Sequence, residues 1–102
     1  MADKTTLVVT AMPNSDERAA MQTYIQGALP LLAGAGGTLV KRLKVEKSVA
    51  GTPSYGVVLV MDFPDREKLE AVFASEVYAE LLPFRAKGHS SLEICLTSDF
   101  AL

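Results

Sequence analysis

The stretch that most limits this chain is "YGVVLVMDF", residues 55–63. Side chains alternate sides along a strand, so Val57, Leu59 and Met61 point one way and Val58, Val60 and Asp62 the other. A strand that is apolar on both parities needs cover on both faces. The rest of the chain supplies two substantial amphipathic helices. Met21, Tyr24, Ile25, Ala28, Leu29 and Leu32 recur at helical spacing after "PNSDE", where Asn14 and Glu17 form a capping-box arrangement. Pro30 is expected to bend this helix, and "GAGG" at Gly34 to Gly37 to end it. The second helix starts near Asp65, after Pro64, and buries Leu69, Val72 and Phe73. Ser75 opens a shorter helix that carries Val77, Tyr78, Leu81 and Leu82 and is expected to stop at Pro83.

Three further strands complete the pattern. "TTLVVTAM" precedes Pro13, "TLVKRLKVEKSV" follows the glycines, and "SSLEICLT" lies near the end. In the second, Leu39, Leu43, Val45 and Val49 share one parity, while Arg42, Lys44, Glu46 and Ser48 share the other, the wet one. Its lysines suit a sheet edge. The order is βαββαβ. Its simplest closure is α+β and ferredoxin-like: a four-stranded antiparallel sheet, strands one and three central, both helices on one face. The other face then bears an apolar patch larger than a monomer usually leaves bare, and a second copy of the chain in a two-fold homodimer is the simplest cover.

Length and composition agree with one soluble domain spanning residues 1–102. Apolar residues make up 49% and charged residues 22%, which excludes disorder. A formal net charge of −2 gives nothing to drive counterion release from phosphates, so nucleic acid is not an expected partner. Strand three also lacks the basic start and the alternating aromatics on which RNA bases stack. Cys95 is the single cysteine and has no partner for a disulfide or a zinc site, which fits a reducing compartment. "MADKTTLVVT" does not read as a signal peptide, and the longest apolar run, Val57 to Met61, is far short of a membrane span. The expected localisation is cytoplasmic, with no cofactor, no metal and no membrane partner.

The segment "DFPDREKLEAVFASEVYAELLPFRAKG" resembles the family called domain of unknown function 1330, in the dimeric α+β barrel superfamily. The features that carry the resemblance fall on Phe63, Pro64, Asp65, Arg66, Glu67, Ser75, Tyr78 and Arg85, with "GAGGTLVKR" supplying a Gly-Gly entry to strand two and Arg42. The resemblance implies two sheets closing into a barrel across a dimer, with a small pocket on each protomer and no established reaction.

Candidate site residues follow from chemistry. Tyr78 and Arg85 lie about two turns apart if the helix continues past Pro83, and a phenol with a guanidinium suits a carboxylate or enolate, against the blander reading of a packed tyrosine with its hydroxyl in water and an arginine in a surface or interface ion pair. With Arg42 they form the expected ligand-binding set. His89 is the sole histidine and a candidate general base, against the blander reading of an exposed loop residue. Asp62 is either a pocket carboxylate or the point where strand three meets solvent. Lys41, between Leu39 and Leu43, is an anion contact or an edge lysine reaching for water.

Two readings stay open. One is a protein that binds or transforms a small hydrophobic or aromatic acid, as an enzyme by cofactor-independent monooxygenase-like or isomerase-like chemistry. The other is a non-catalytic small-molecule sensor or dimeric interaction module of the ACT-like kind.

Overall fold

In the computed structural model, which describes residues 3–101, four strands form one antiparallel sheet: β1 Thr5–Pro13, β2 Thr38–Lys44, β3 Val57–Phe63 and β4 His89–Thr97, in the order β2-β3-β1-β4. The expected topology holds, with the two doubly apolar strands at the centre. Pairing β1 with β3 aligns Leu7 with Met61, Val9 with Leu59 and Ala11 with Val57; β4 adds Leu96, Ile94 and Leu92 on the same face.

The helices cover that face. α1 spans Arg18–Gly34 and is continuous through Pro30; α2 spans Arg66–Phe73, and the short helices α3 and α4 span Glu76–Ala79 and Leu82–Gly88. Asn14 caps a single 3-10 turn, Ser15–Glu17, ahead of α1, accepting from the Asp16 amide at 3.1 Å. Asp65 caps α2 through the Glu67 amide at 3.0 Å, and Ser75 caps α3 through the Tyr78 amide at 3.2 Å. Each such cap is worth about 1 kcal/mol.

Leu32 from α1 and Leu69 from α2 meet Leu7, Met61 and Phe63 of the sheet, with Leu7 and Leu69 fully buried. A side chain so buried stabilises the fold by roughly 1.5–3 kcal/mol. A second cluster joins Tyr24 and Ala28 of α1 to Tyr78 of α3. Arg66, one of the family-like residues, serves the fold here: its Nη2 donates to Thr5 Oγ1 at 3.3 Å and to the Thr97 carbonyl at 3.5 Å, holding the start of α2 against the ends of β1 and β4.

Two expectations are corrected. Pro83 does not stop a helix; it lies in the first turn of α4, where its missing N–H costs nothing. Strand two is shorter than expected, and its faces are not those of simple alternation. Leu39 pairs with Met61 but Lys41 pairs with Val60, so Val40 is an extra residue, a β-bulge. Slipping by one residue moves every later side chain to the opposite face. Arg42 and Lys44 therefore sit opposite Leu59 and Val57 on the helix side, while Lys41 and Leu43 join Val60 and Val58 on the other.

Among the described residues no helix lies on that other face. Val8, Val58 and Val60 are half-buried at its centre, Leu43 is 44% exposed beside them, and Cys95 is exposed opposite Val8. Threonines, Lys41, Asp62 and Glu93 surround them.

Two glycines set the chain path toward the site. Gly36, at φ +88, makes the turn from α1 into β2. At Gly88, α4 reaches α1 so closely that a Cβ would lie 2.6 Å from both the amide nitrogen and Cα of Met21. The Asn14 amide donates to the Gly88 carbonyl at 2.9 Å, fixing the same junction. Backbone cannot yield as a side chain can, so Gly88→Ala should cost on the order of 1–3 kcal/mol. Gly34→Ala, whose Cβ would meet nothing within 4 Å, should leave stability unchanged or raise it by up to about 1 kcal/mol. Urea denaturation of the two variants checks the contrast.

Candidate functional site

Between α1 and the helix-side face of the sheet lies a cavity of about 360 Å³, in the range of small-molecule sites. Val9, Ala11, Val57, Leu59 and Ile94 form its floor; Met21, Ile25, Ala28 and Leu29 form its roof. Its polar groups are few. Tyr24, Tyr78 and His89 stand together in its wall, and Arg42 lines it from the β2 edge.

The wall is a connected array. The hydroxyls of Tyr24 and Tyr78 are 2.7 Å apart, and Arg85 Nη1 donates to the Tyr78 hydroxyl at 3.1 Å while its guanidinium carbon lies 5.8 Å from that ring's centroid. Edge-on contacts of the Tyr24 ring with His89 and Tyr78, and of Phe73 with Tyr78, fix the rings at centroid separations of 5.7, 6.1 and 5.1 Å, within the range of favourable aromatic pairs. His89 Nδ1 lies 3.0 Å from the Arg85 carbonyl. A carbonyl only accepts, so Nδ1 carries the proton and Nε2 is left as the basic atom of the neutral ring.

Local sequence explains each placement. Ser75 starts α3 so that Tyr78 falls one turn in, and α4 resumes after Leu81 with Arg85 two turns beyond Tyr78. Gly88 ends α4 against α1, and His89 therefore enters β4 beside Tyr24. Arg42 reaches the cavity because of the bulge at Val40.

The structure brings together Tyr78, Arg85, His89 and Arg42, with a division of labour that differs from the sequence reading. Arg85 does not line the cavity; it acts behind Tyr78. Arg42, assigned by alternation to the wet face of strand two, is the arginine on the cavity. His89 is half-buried at the head of β4 rather than in an exposed loop. Asp62 lies on the opposite face of the sheet, exposed, accepting from Thr6 Oγ1 at 2.7 Å beside a broad polar groove that also includes Thr38, Thr97 and Asp99. Lys41 shares that face. Tyr24 was legible only as one member of the apolar helix stripe, because its hydroxyl partner lies 54 residues away in the chain. Among the described residues no cluster of His, Cys, Asp or Glu has a metal-binding arrangement, and no helix is long and apolar enough to cross a membrane.

A family model, the domain of unknown function DUF1330, matches residues 5–98. The chain belongs to that family. No curated protein matches the sequence. Solved structures share the fold at low identity. A protein of unknown function from Rhodopseudomonas palustris, RPA0582, superposes with a TM-score of 0.82 at 13% identity, over 100% of this chain and 86% of that one. PA3566 from Pseudomonas aeruginosa gives 0.65 at 16% identity, over 99% and 98%. SnoaB from Streptomyces nogalater, described as a cofactor-independent oxygenase, gives 0.63 at 16% identity, over 99% and 97%. The fold is thus the ferredoxin-like α+β architecture of dimeric α+β barrel proteins.

Burial, and next the hydrogen bond with Tyr78, push the Tyr24 phenol well above its ordinary pKa of 10.0, with Arg85 opposing in part. A group whose pKa is raised in the folded state supports the fold fully below its unfolded value and loses that support as pH climbs past it. Stability should therefore decline above about pH 10. In Tyr24→Phe the decline should be shallower, a difference read from urea midpoints between pH 9 and 11.

Proposed function

We propose that this DUF1330 protein binds a small hydrophobic or aromatic acid in the cavity between α1 and the sheet. The carrying observation is the cavity's composition: an apolar floor and roof with Arg42 at one edge and Tyr24, Tyr78 and His89 at the wall. An apolar body gains from desolvation there, and a carboxylate at the β2 edge meets the guanidinium fork of Arg42. Tyr78 orients the ligand, with Arg85 holding its hydroxyl in place.

The same residues support proton transfer at a stabilised carbon acid without a cofactor. His89 Nε2 takes the proton, and the phenols stabilise the oxygen that gains charge. Isomerase-like and cofactor-independent oxygenase-like reactions both begin this way, and one structural relative is described as such an oxygenase.

We also propose that the protein works as a homodimer through the helix-free face, on which Val8, Val58, Val60 and Leu43 form an apolar centre. That face favours the second reading as well, an ACT-like sensor or a dimeric module whose ligand sits between protomers. The position of a bound ligand separates the two: inside the α1–sheet cavity supports the first, at the protomer boundary the second. We propose further that the protein works in the cytoplasm and without a nucleic-acid partner.

Aromatic acids and α-keto acids should raise the melting temperature of the wild type. Arg42→Ala should weaken their binding by about five- to tenfold, as for a partly solvated charge-assisted pair. Equal binding by both proteins would count against the acid reading. Light scattering at micromolar concentration should return twice the 10.9 kDa chain mass, and Val60→Asp should return the single-chain mass.

A further inference from the structure

The Tyr24–Tyr78 pair carries one O–H proton more than the protein groups around it accept. Two phenol groups bring two O–H protons. One lies in the bond between the hydroxyl oxygens, 2.7 Å apart, whichever oxygen donates. Arg85 Nη1 is itself a donor and takes up capacity on Tyr78 Oη without relieving either proton. Among the described residues neither hydroxyl makes any other hydrogen bond. Both side chains are buried, at 8% and 3% exposure, and both line the cavity. A buried donor without an acceptor is costly, and polarisation by Arg85 sharpens this one as a donor.

We infer that the cavity selects a ligand carrying a carbonyl or enolate oxygen, seated on the Tyr24–Tyr78 hydroxyls and accepting the surplus proton as a hydrogen bond. The inference rests on the acid reading above and narrows it: the ligand is an oxo acid, with its carboxylate at Arg42 and its second oxygen at the tyrosines. Arg85 is a positioning residue that acts through Tyr78. A ligand with the same shape and no oxygen at that end leaves the donor unpaired and is rejected, although the walls around it are apolar.

Isothermal titration with matched probes tests this. Para-acetylbenzoate and para-isopropylbenzoate have nearly the same shape, and only the first has a carbonyl oxygen. The wild type should bind the acetyl compound about tenfold more tightly. An ordinary apolar pocket prefers the isopropyl compound, so the sign of the difference is itself informative. Tyr24→Phe and Tyr78→Phe each keep one hydroxyl and one free proton, and each should keep much of the preference. The double variant keeps none and should lose it, a non-additivity that a merely structural role for the rings does not produce. Folding of the variants is checked by circular dichroism.

Acetophenone and cumene, the same pair without the carboxylate, separate the two ideas. Tyrosine-dependent binding of acetophenone, with neither acid bound, would sink the acid reading and leave the carbonyl seat standing. Acids that bind with no preference for the acetyl compound, or with a preference that survives in the double variant, would overturn the carbonyl seat and leave the acid reading intact. No binding by any of the four overturns both.

Discussion

The packing of α1 and α2 on one side of the sheet is the constraint from which the other features follow. Leu7, Met61 and Phe63 must leave water, and Leu32 and Leu69 are the side chains that take them out of it. Once both helices lie on that side, no helix among the described residues covers Val8, Val58 and Val60. The division is geometric. A pleated strand cannot turn its side chains to one face, and α1 to α4 leave no helix among the described residues to lay across the other.

The same packing leaves the cavity. α1 meets the sheet at Leu32, in the main core, and meets α3 through Tyr24 and Ala28. Small residues such as Ala11 and Ala28 line the space between. Gly88 matters here for a reason of contact, since it lets the backbone of α4 touch that of α1. That contact delivers His89 to Tyr24 and holds Arg85 within reach of Tyr78. The polar wall is thus a product of how the helices meet, and each of its rings packs edge-on against another.

The family match and the fold agree. Several of the family-like residues turn out to serve the architecture: Asp65 and Ser75 are helix caps, and Arg66 binds the ends of two strands. Arg42, Tyr78 and Arg85 are the ones gathered at or directly behind the cavity wall. Structural neighbours at 13–16% identity share the architecture alone, so the chemical reading stands on this chain's own side chains.

Local rules in the sequence determined a good deal: the element order, the central place of strands one and three, the helix starts at Asp65 and Ser75, and the presence of an apolar face without a helix. Each depends on periodicity or on a neighbour a few residues away. Tyr78 and Arg85 were visible for the same reason, being two turns apart. The face presented by Arg42 was not, because one extra residue at Val40 inverts the alternation, and a bulge depends on pairing with β3 rather than on β2 itself. Tyr24 as a polar partner, His89 as a wall residue and the placing of Asp62 behind the sheet were likewise decided by tertiary structure. A hydrogen bond between residues 24 and 78 leaves no periodic mark on a sequence. It exists only where packing brings two distant helices to the same 2.7 Å.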